Sequence, residues 1–342
     1  GQGKLEWVES ALQWVHEHRN AFESPITTVN VSVGTLWNAE EVPEWSTLED
    51  ELQQLHEAGI VVTASAGNSF ADDNASGLSY PASSPHVIPV GSVDVDGRLS
   101  EFSQRNSRVL LAPGADIVSS VPDHVLGRDG RFDDFTAGSG TSMASPYVAG
   151  ASVLVRQAFW MTSGQDVGVD TIQAHLRETA DTVYDPITEQ SYLRLNLDNA
   201  LSKLVPVDDV GDYLADAQPI EPQASLQTWI NDLQDTDAFE LNTESGGSLT
   251  LQLGSDWLQD IDWQLMHEGV QISDGIQGQA SIEIPAAGSY TLLVKAPDSI
   301  GPLNIDVDFR GLAVTNGVDH VVGTVPTVEL GHVNYSTTSA QA

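Results

Sequence analysis

Apolar and polar positions along this chain follow two different periods, and the change between them divides it. Over residues 5 to 18, Leu5, Val8, Ala11, Leu12 and Val15 recur at helical spacing, and Trp7 and Trp14 widen the apolar face. Ile26 to Val33 reads as a strand closed by Gly34. A helix is expected from Leu48 to Ala58, capped by Ser46 or Thr47 and stopped by Gly59. Ile60 to Ser65 is a continuous apolar strand that runs into Ala66-Gly67-Asn68. A polar, glycine-containing connection over 122–135 predicts a surface hairpin. Ser145 to Trp160 is an apolar helical run, with a helix around Val169 to Thr179 and an amphipathic ending near Leu193 to Leu204. Uniformly apolar strands alternating with helices predict an α/β fold, a mostly parallel sheet with helices on both faces. Ligands on such sheets sit beyond the carboxyl ends of the strands, where Gly34 and Asn68 fall.

From Ala224 onward the period drops to two. Leu226–Ile230, Ala238–Leu241, Leu249–Leu253, Asp262–Met266, Ser281–Ile284, Tyr290–Lys295 and Leu303–Phe309 are candidate strands, which predicts a small all-β sandwich. The expected organisation is therefore an α/β domain over 1–205, an acidic linker over 206–223, the sandwich over 224–310 and a poorly ordered tail over 311–342.

Composition narrows the function. Thirteen Lys plus Arg against 49 Asp plus Glu leave a net charge of −36, which excludes the basic patches that nucleic acid requires and disfavours an anionic membrane surface. The charge is read as a solubility device. With no cysteine there is no disulfide framework, thiol nucleophile or thiolate zinc site. No apolar run approaches the ~20 residues of a membrane span.

One stretch carries chemistry. The turn Ala137-Gly138-Ser139-Gly140 leads into Thr141-Ser142-Met143-Ala144-Ser145-Pro146 and the apolar helical run. A serine in the first turn of a buried helix lies in the field of unpaired backbone N–H groups, where negative charge is stabilised. Pro146 is tolerated this early because its missing N–H would have no intrahelical partner. Read alone, the stretch could also be a chance glycine-serine helix start.

Gly140 to Pro146 resembles the nucleophile motif of the subtilisin-like serine proteases, and the resemblance implies that Ser142 is the attacking serine of an endopeptidase working through an acyl-enzyme. Ala66-Gly67-Asn68 is similar to the family's oxyanion segment, which makes Asn68 a donor beside the Ser142 N–H. Gly1-Gln2-Gly3 resembles one edge of the substrate groove, with Leu5 and Val8 lining a pocket for a more distant side chain. Ser32-Val33-Gly34 resembles the opposite edge, so that a peptide would lie between them as an added strand. Ser65-Ala66-Gly67 and Ser79-Tyr80-Pro81-Ala82 resemble the walls and floor of the primary specificity pocket, and Thr141 joins the substrate-binding set. No carboxylate falls on these positions, which implies a preference for apolar or aromatic side chains, although Asp72 and Asp73 stand nearby in sequence. The resemblance also implies strands over 86–93, 107–113 and 116–121 that continue the family's strand order up to the serine turn, a cis Tyr80–Pro81 bond, protein or peptide substrates, a monomer, and secretion from a bacterium.

The departure from the family is as informative. A serine nucleophile needs a base, and the base an orienter. The family supplies an Asp followed by Thr or Ser and Gly, and a His followed by Gly, both before the segment that Gly1 matches. Neither motif occurs, and none of the nine histidines is followed by glycine. The expectation is an amino-truncated piece of an ordinary protease, rather than a degenerate member, and a chain inactive by itself. The alternative is a non-catalytic binding protein for a polypeptide or glycan, which an aromatic sandwich face of Trp229, Trp257 and Trp263 would favour.

In the second half, residues 235–241 and 285–292 resemble two strands of the bacterial prepeptidase C-terminal domain, a jelly-roll-like appendage of secreted peptidases. Asp208, Asp209 and Asp212 could be read as calcium ligands, but no complete ligand loop is visible and a solvated linker is preferred. No metal ligand is assigned. The chemistry requires no cofactor, and a structural calcium ion has no visible site.

Overall fold

In a computed structural model, which describes residues 3–125, 128–131, 133–208, 210–315 and 318–321, the chain divides into two units, 1–205 and 206–342.

The first unit is built on helix α1 (Leu5–His18), strand β1 (Thr28–Val31), α2 (Glu49–Glu57), β2 (Val61–Ser65), the short α3 (Phe70–Asp73), β3 (Ile88–Val93) and β4 (Leu110–Pro113). There follow β5 (Ile117–Ser120), β6 (Phe135–Gly138), α4 (Thr141–Ser163), α5 (Val169–Glu178), β7 (Asp181–Asp185), β8 (Gln190–Arg194) and α6 (Leu197–Ser202). Six strands form one sheet in the order β1-β2-β3-β4-β8-β7. Each neighbouring pair from β1 to β8 is parallel, and β7 closes the edge antiparallel to β8.

The central strands β2, β3 and β4 are mostly apolar because both faces are covered. Val62 and Ala64 join Leu12 of α1 and Leu52 and Leu55 of α2 in one buried cluster. Val61, Ile88, Val90 and Leu110 join Ala144, Val148, Ala151 and Val155 of α4 in the other. The spacing of those four α4 residues is one face of a helix. Each fully buried Val or Leu contributes roughly 1.5–3 kcal/mol over its exposed state.

Three expectations are corrected here. The cap of α2 is neither Ser46 nor Thr47. Leu48 stands at that position, and its N–H donates to the Tyr80 hydroxyl at 3.1 Å, so a buried tyrosine supplies the acceptor. The strand expected over 116–121 pairs with β6 in a separate two-stranded ribbon. The ending expected near 193–204 is preceded by the β7–β8 hairpin, which enters the main sheet through Leu110 opposite Leu193. Only 197–202 is helical, capped where Asn196 Oδ1 accepts the Asn199 N–H at 2.9 Å.

The second unit contains two five-stranded sheets. One runs β10 (Gln223–Ile230), β17 (Gly301–Thr315), β12 (Gly247–Gly254), β15 (Gly278–Ile284), with β18 (Val318–Val321) also on β17. The other runs β14 (Val270–Ile276), β13 (Asp262–His267), β16 (Gly288–Lys295), β11 (Asp237–Thr243), β9 (Gln218–Ile220). Period-two patterning does what it should, since Leu249, Leu251 and Leu253 of β12 all face a buried cluster to which Phe239, Leu265 and Leu292 of the other sheet also belong.

The stretch 206–223 is not a solvated linker. Val210 is buried in that cluster, Gly211 C=O accepts the Ala238 N–H at 3.0 Å, and β9 pairs in parallel with β11. Within the tail expected over 311–342, β17 continues to Thr315 and pairs with β18. Leu330 and the last ten residues lie outside the described residues. Among the described residues, no helix is long and apolar enough to cross a membrane.

Candidate active site

The site lies where β1 and β2 deliver their carboxyl ends to the first turn of α4. Thr141 opens that helix and is fully buried, while the next residue, Ser142, is half-buried. Asn68 follows β2 by way of Gly67, whose φ of +113° suits glycine. A Cβ there would also stand 3.2 Å from Ser79 Cβ and 3.0 Å from Gln104 Cγ, so glycine is required on two counts.

Thr141 fixes the asparagine. Its N–H and its hydroxyl both donate to Asn68 Oδ1, each at 2.9 Å, and its Oγ1 accepts the Gly67 N–H at 3.2 Å. Two donors on Oδ1 settle the orientation of the amide and leave Nδ2 as its outward donor. Ser142 Oγ donates to the Ser32 carbonyl at 3.1 Å, and Ser32 Oγ donates back to the Ser142 carbonyl at 2.8 Å.

Behind these residues runs a set of neutral polar side chains that sequence reasoning missed. Ser145 Oγ donates to Thr63 Oγ1 at 3.2 Å, Thr63 Oγ1 donates to Asn30 Oδ1 at 3.2 Å, and Asn30 Nδ2 donates to Ser32 Oγ at 2.9 Å. The chain ties α4, β2 and β1 to the Ser32–Ser142 contact. Its sequence signal is slight: single polar residues inside otherwise apolar runs.

The segments matched to the substrate groove meet one another. Ser79 N–H donates to Ala66 C=O at 2.8 Å, Thr35 N–H donates to Tyr80 C=O at 2.9 Å, and Ser79 Oγ donates to Thr35 C=O at 2.8 Å. A Cβ on Gly34 would fall 2.3 Å from Ser79 Oγ, so the approach of 32–34 to 79–82 depends on that glycine. The Tyr80–Pro81 bond is cis. Burial, and with it the nearby Glu49 charge, holds the Tyr80 phenol well above its ordinary value. Ser65, Ala66, Tyr80 and Ala82 are buried, whereas Val33 is exposed. Asp72 and Asp73 are exposed on α3.

The residues expected at the other edge are described in part. Gly1 and Gln2 lie outside the described residues, Gly3 is exposed, and Leu5 and Val8 pack against the buried cluster under α1.

Arg105, fully buried, supports the asparagine turn from below. Its guanidinium lies 3.8 Å over the Phe70 ring and donates from Nε to Asp185 Oδ2 at 3.2 Å and from Nη1 to the carbonyls of Ser100, Glu101 and Ser103. The adjoining Gln104 N–H donates to Gly67 C=O at 3.1 Å.

Among the described residues, no histidine is hydrogen-bonded to Ser142. His18 Nδ1 contacts the Trp14 carbonyl at 2.9 Å, His56 faces Asp170 at 3.4 Å and His86 through its ring, and His175 Nε2 contacts the Ala200 carbonyl at 2.7 Å. His267 Nδ1 contacts the Ser289 carbonyl at 3.0 Å, His124 is exposed, and His332 lies outside the described residues.

In the second unit, Trp263 is buried and its indole N–H donates to Ile276 C=O at 3.0 Å, while Trp229 and Trp257 are half-buried. The acidic residues do not all stay in solvent. Burial first, and the charges of Asp208, Asp212 and Asp232 with it, push the Asp235 carboxyl up to about 6, against the N–H donated by Asn231. Asp209 lies outside the described residues.

The first unit is thus an α/β domain with a serine-bearing helix start at the ligand edge of its parallel sheet. Residues 1–203 match the model of the Subtilase family of S8 peptidases, and the chain belongs to that family. It is 36% identical over 159 residues to an intracellular serine protease of Paenibacillus polymyxa, which covers 46% of this chain and 42% of that protein. It is 34% identical over 158 residues to the major intracellular serine protease of Bacillus subtilis (strain 168), which covers 46% and 43%. A solved structure of the patellamide maturation protease PatA aligns over 57% of this chain and 67% of that one, at 27% identity and a TM-score of 0.45. The chain therefore spans under half the length of these two curated relatives.

Proposed function

We propose that the chain is the nucleophile-bearing part of a serine endopeptidase that hydrolyses extended polypeptides through an acyl-enzyme. The observation that carries this is the double hold of Thr141 on Asn68 Oδ1, which leaves Nδ2 as the free donor end of the amide beside the helix start that holds Ser142. Ser142 Oγ attacks the scissile carbonyl carbon, its proton passing to a base. The oxygen that becomes negative is met by Asn68 Nδ2 and the Ser142 N–H. The base returns the proton to the leaving amine, and water then releases the acyl group by the same steps.

That base is an imidazole which the described residues do not bring to Ser142, and the 342-residue chain alone is therefore inert. A fluorophosphonate probe, which reacts only with an activated serine, should leave Ser142 unlabelled in this chain. In the whole protein it should label Ser142, and Asn68→Ala should lower turnover by about 10²–10³, the scale seen when one such donor is removed from a subtilisin. Efficient labelling of the chain alone would overturn the inert reading.

None of 32–34, 65–67 and 79–82 carries a charged side chain, which supports apolar or aromatic preference and strand-like binding of substrate. A peptide-library profile dominated by Lys or Arg would refute that preference. The two sheets around one core support a sandwich of the prepeptidase C-terminal kind for the second unit. An appended all-β unit favours export and a monomeric secreted enzyme, a reading that fractionation of culture supernatant from cells tests. The contact of Ser142 Oγ with a carbonyl rather than a base favours one other reading, a polypeptide- or glycan-binding protein. Peptide binding without any hydrolysis by the whole protein with Ser142 intact would establish it.

A further inference from the structure

Asp208, Asp235 and Asp237 come from two stretches of the second unit: the segment after Pro206, and the residues that lead from β10 into β11. A carboxylate oxygen of each lies within 4.8 Å of those of the other two. Asp237 is wholly buried and Asp235 is 6% exposed, while Asp208 reaches in from the surface. Three acceptors of like charge cannot satisfy one another, and their repulsion grows as water is removed.

Independent of that convergence, Asp235 has a buried oxygen to spare. Its Oδ2 accepts the Asn231 N–H, but Oδ1 is buried without a hydrogen-bond partner, and so are both amide atoms of the Asn231 side chain beside it. A buried carboxylate oxygen is costly unless a donor or a cation meets it. Every ligand atom in the cluster is oxygen, with no imidazole or thiolate, which selects a hard cation. Carboxylates gathered irregularly from two segments suit calcium, which accepts six to eight oxygens in flexible geometry, better than magnesium, which demands a near-ideal octahedron.

We propose that Asp208, Asp235 and Asp237 form a calcium site that fastens the 206–223 stretch to β11. The site is separate from the serine chemistry and stands whether or not the chain is a peptidase. It gives the strongly acidic segment a structural duty: the cation meets the buried Asp235 oxygen that no hydrogen-bond donor reaches.

Calorimetric titration of the full chain with calcium chloride in about 150 mM sodium chloride, which screens diffuse binding, is the test. The parent chain should bind one calcium ion more than Asp208→Asn, a surface substitution that leaves the fold intact, and magnesium should bind there at least tenfold more weakly. Thermal unfolding supplies the second reading. Asp235→Asn should melt above the parent in chelator, because repulsion is relieved, and below it in 10 mM calcium, where only the parent gains about 5 °C or more. Equal calcium stoichiometry in the parent and Asp208→Asn would overturn the proposal. So would an Asp235→Asn variant that melts below the parent in chelator and calcium alike.

Discussion

The buried polar groups behind Ser142 and those around Asp235 meet opposite ends. In the first unit, Ser145, Thr63, Asn30 and Ser32 hand hydrogen bonds along a line of neutral groups that reaches the Ser142 carbonyl, and Thr141 closes on Asn68. Hydroxyls and amides both donate and accept, so such a line can complete itself without a ligand. In the second unit three carboxylates converge, and carboxylates only accept. The first arrangement is complete within the protein. The second, in our proposal, takes its positive charge from a bound cation.

The first unit also buries a carboxylate, and the contrast is sharpest there. Asp185 is 2% exposed, but its Oδ2 accepts from Arg105 Nε at 3.2 Å and from the Thr188 hydroxyl at 2.9 Å. Arg105→Ala removes the cation and leaves the acid alone, at a cost of about 3–5 kcal/mol. Chemical denaturation of the full chain, read at the transition of the first unit, measures it. A loss under about 1 kcal/mol would mean that Asp185 finds solvent instead, and the contrast between the units would fail.

Acid probes the same pair less severely. Burial raises the Asp185 carboxyl, but the Thr188, Arg105 and Ile187 donors outweigh it and hold the group below its ordinary 3.8. Hydrogen bonds from Arg194 and Asn196 lower Asp181 as well. A depressed folded value means that the unfolded chain takes up protons first as the pH falls. The stabilisation by these two groups is therefore complete above 3.8 and drains away below it, as the pH falls through the folded values. Arg105→Ala should flatten that acid limb of a stability-against-pH curve, and an unchanged limb would remove Asp185 from the account.

Thr63→Val, nearly isosteric, interrupts the neutral line in the middle. It leaves Ser145 Oγ without its acceptor and Asn30 Oδ1 without its donor, at about 1–3 kcal/mol. The measurement is the same denaturation, and a neutral result would mean that water completes the line.

How much of this was legible follows from where each partner sits in the chain. The parallel strands are continuous apolar runs, and Asn68 and Ser142 stand in short local motifs, so both can be read from neighbouring residues. The β7–β8 hairpin is unreadable in that way. Asp181-Thr-Val-Tyr-Asp185 is half polar, and Asp185 is held by Arg105, distant in sequence. The 206–223 stretch reads as a linker because it is acidic, whereas its anchors are one valine and a three-residue strand whose partner comes later in the chain. Thr63 and Asn30 each look like a lone polar interruption of a strand. They acquire meaning only when parallel pairing sets them in register, Asn30 opposite Thr63.

The smallest expected effect is at the serine itself. Ser142→Ala removes one donor, from Oγ to the Ser32 carbonyl at 3.1 Å, and does not touch the line that ends on the Ser142 carbonyl. Both residues are half-buried, so water can take the vacated place on the Ser32 oxygen, and the net worth of one such bond is at most about 1 kcal/mol. Stability should therefore change by about 0.5 kcal/mol or less, while Ser32→Ala, which severs the Asn30 and Ser142 contacts together, should cost more. The nucleophile we propose is then one that the fold does not need for its own stability, free to leave its resting contact and react. If Ser142→Ala instead cost 2 kcal/mol or more, Ser142 would belong to the structural line, and the division between a self-completed scaffold and the reactive group it presents would have to be redrawn.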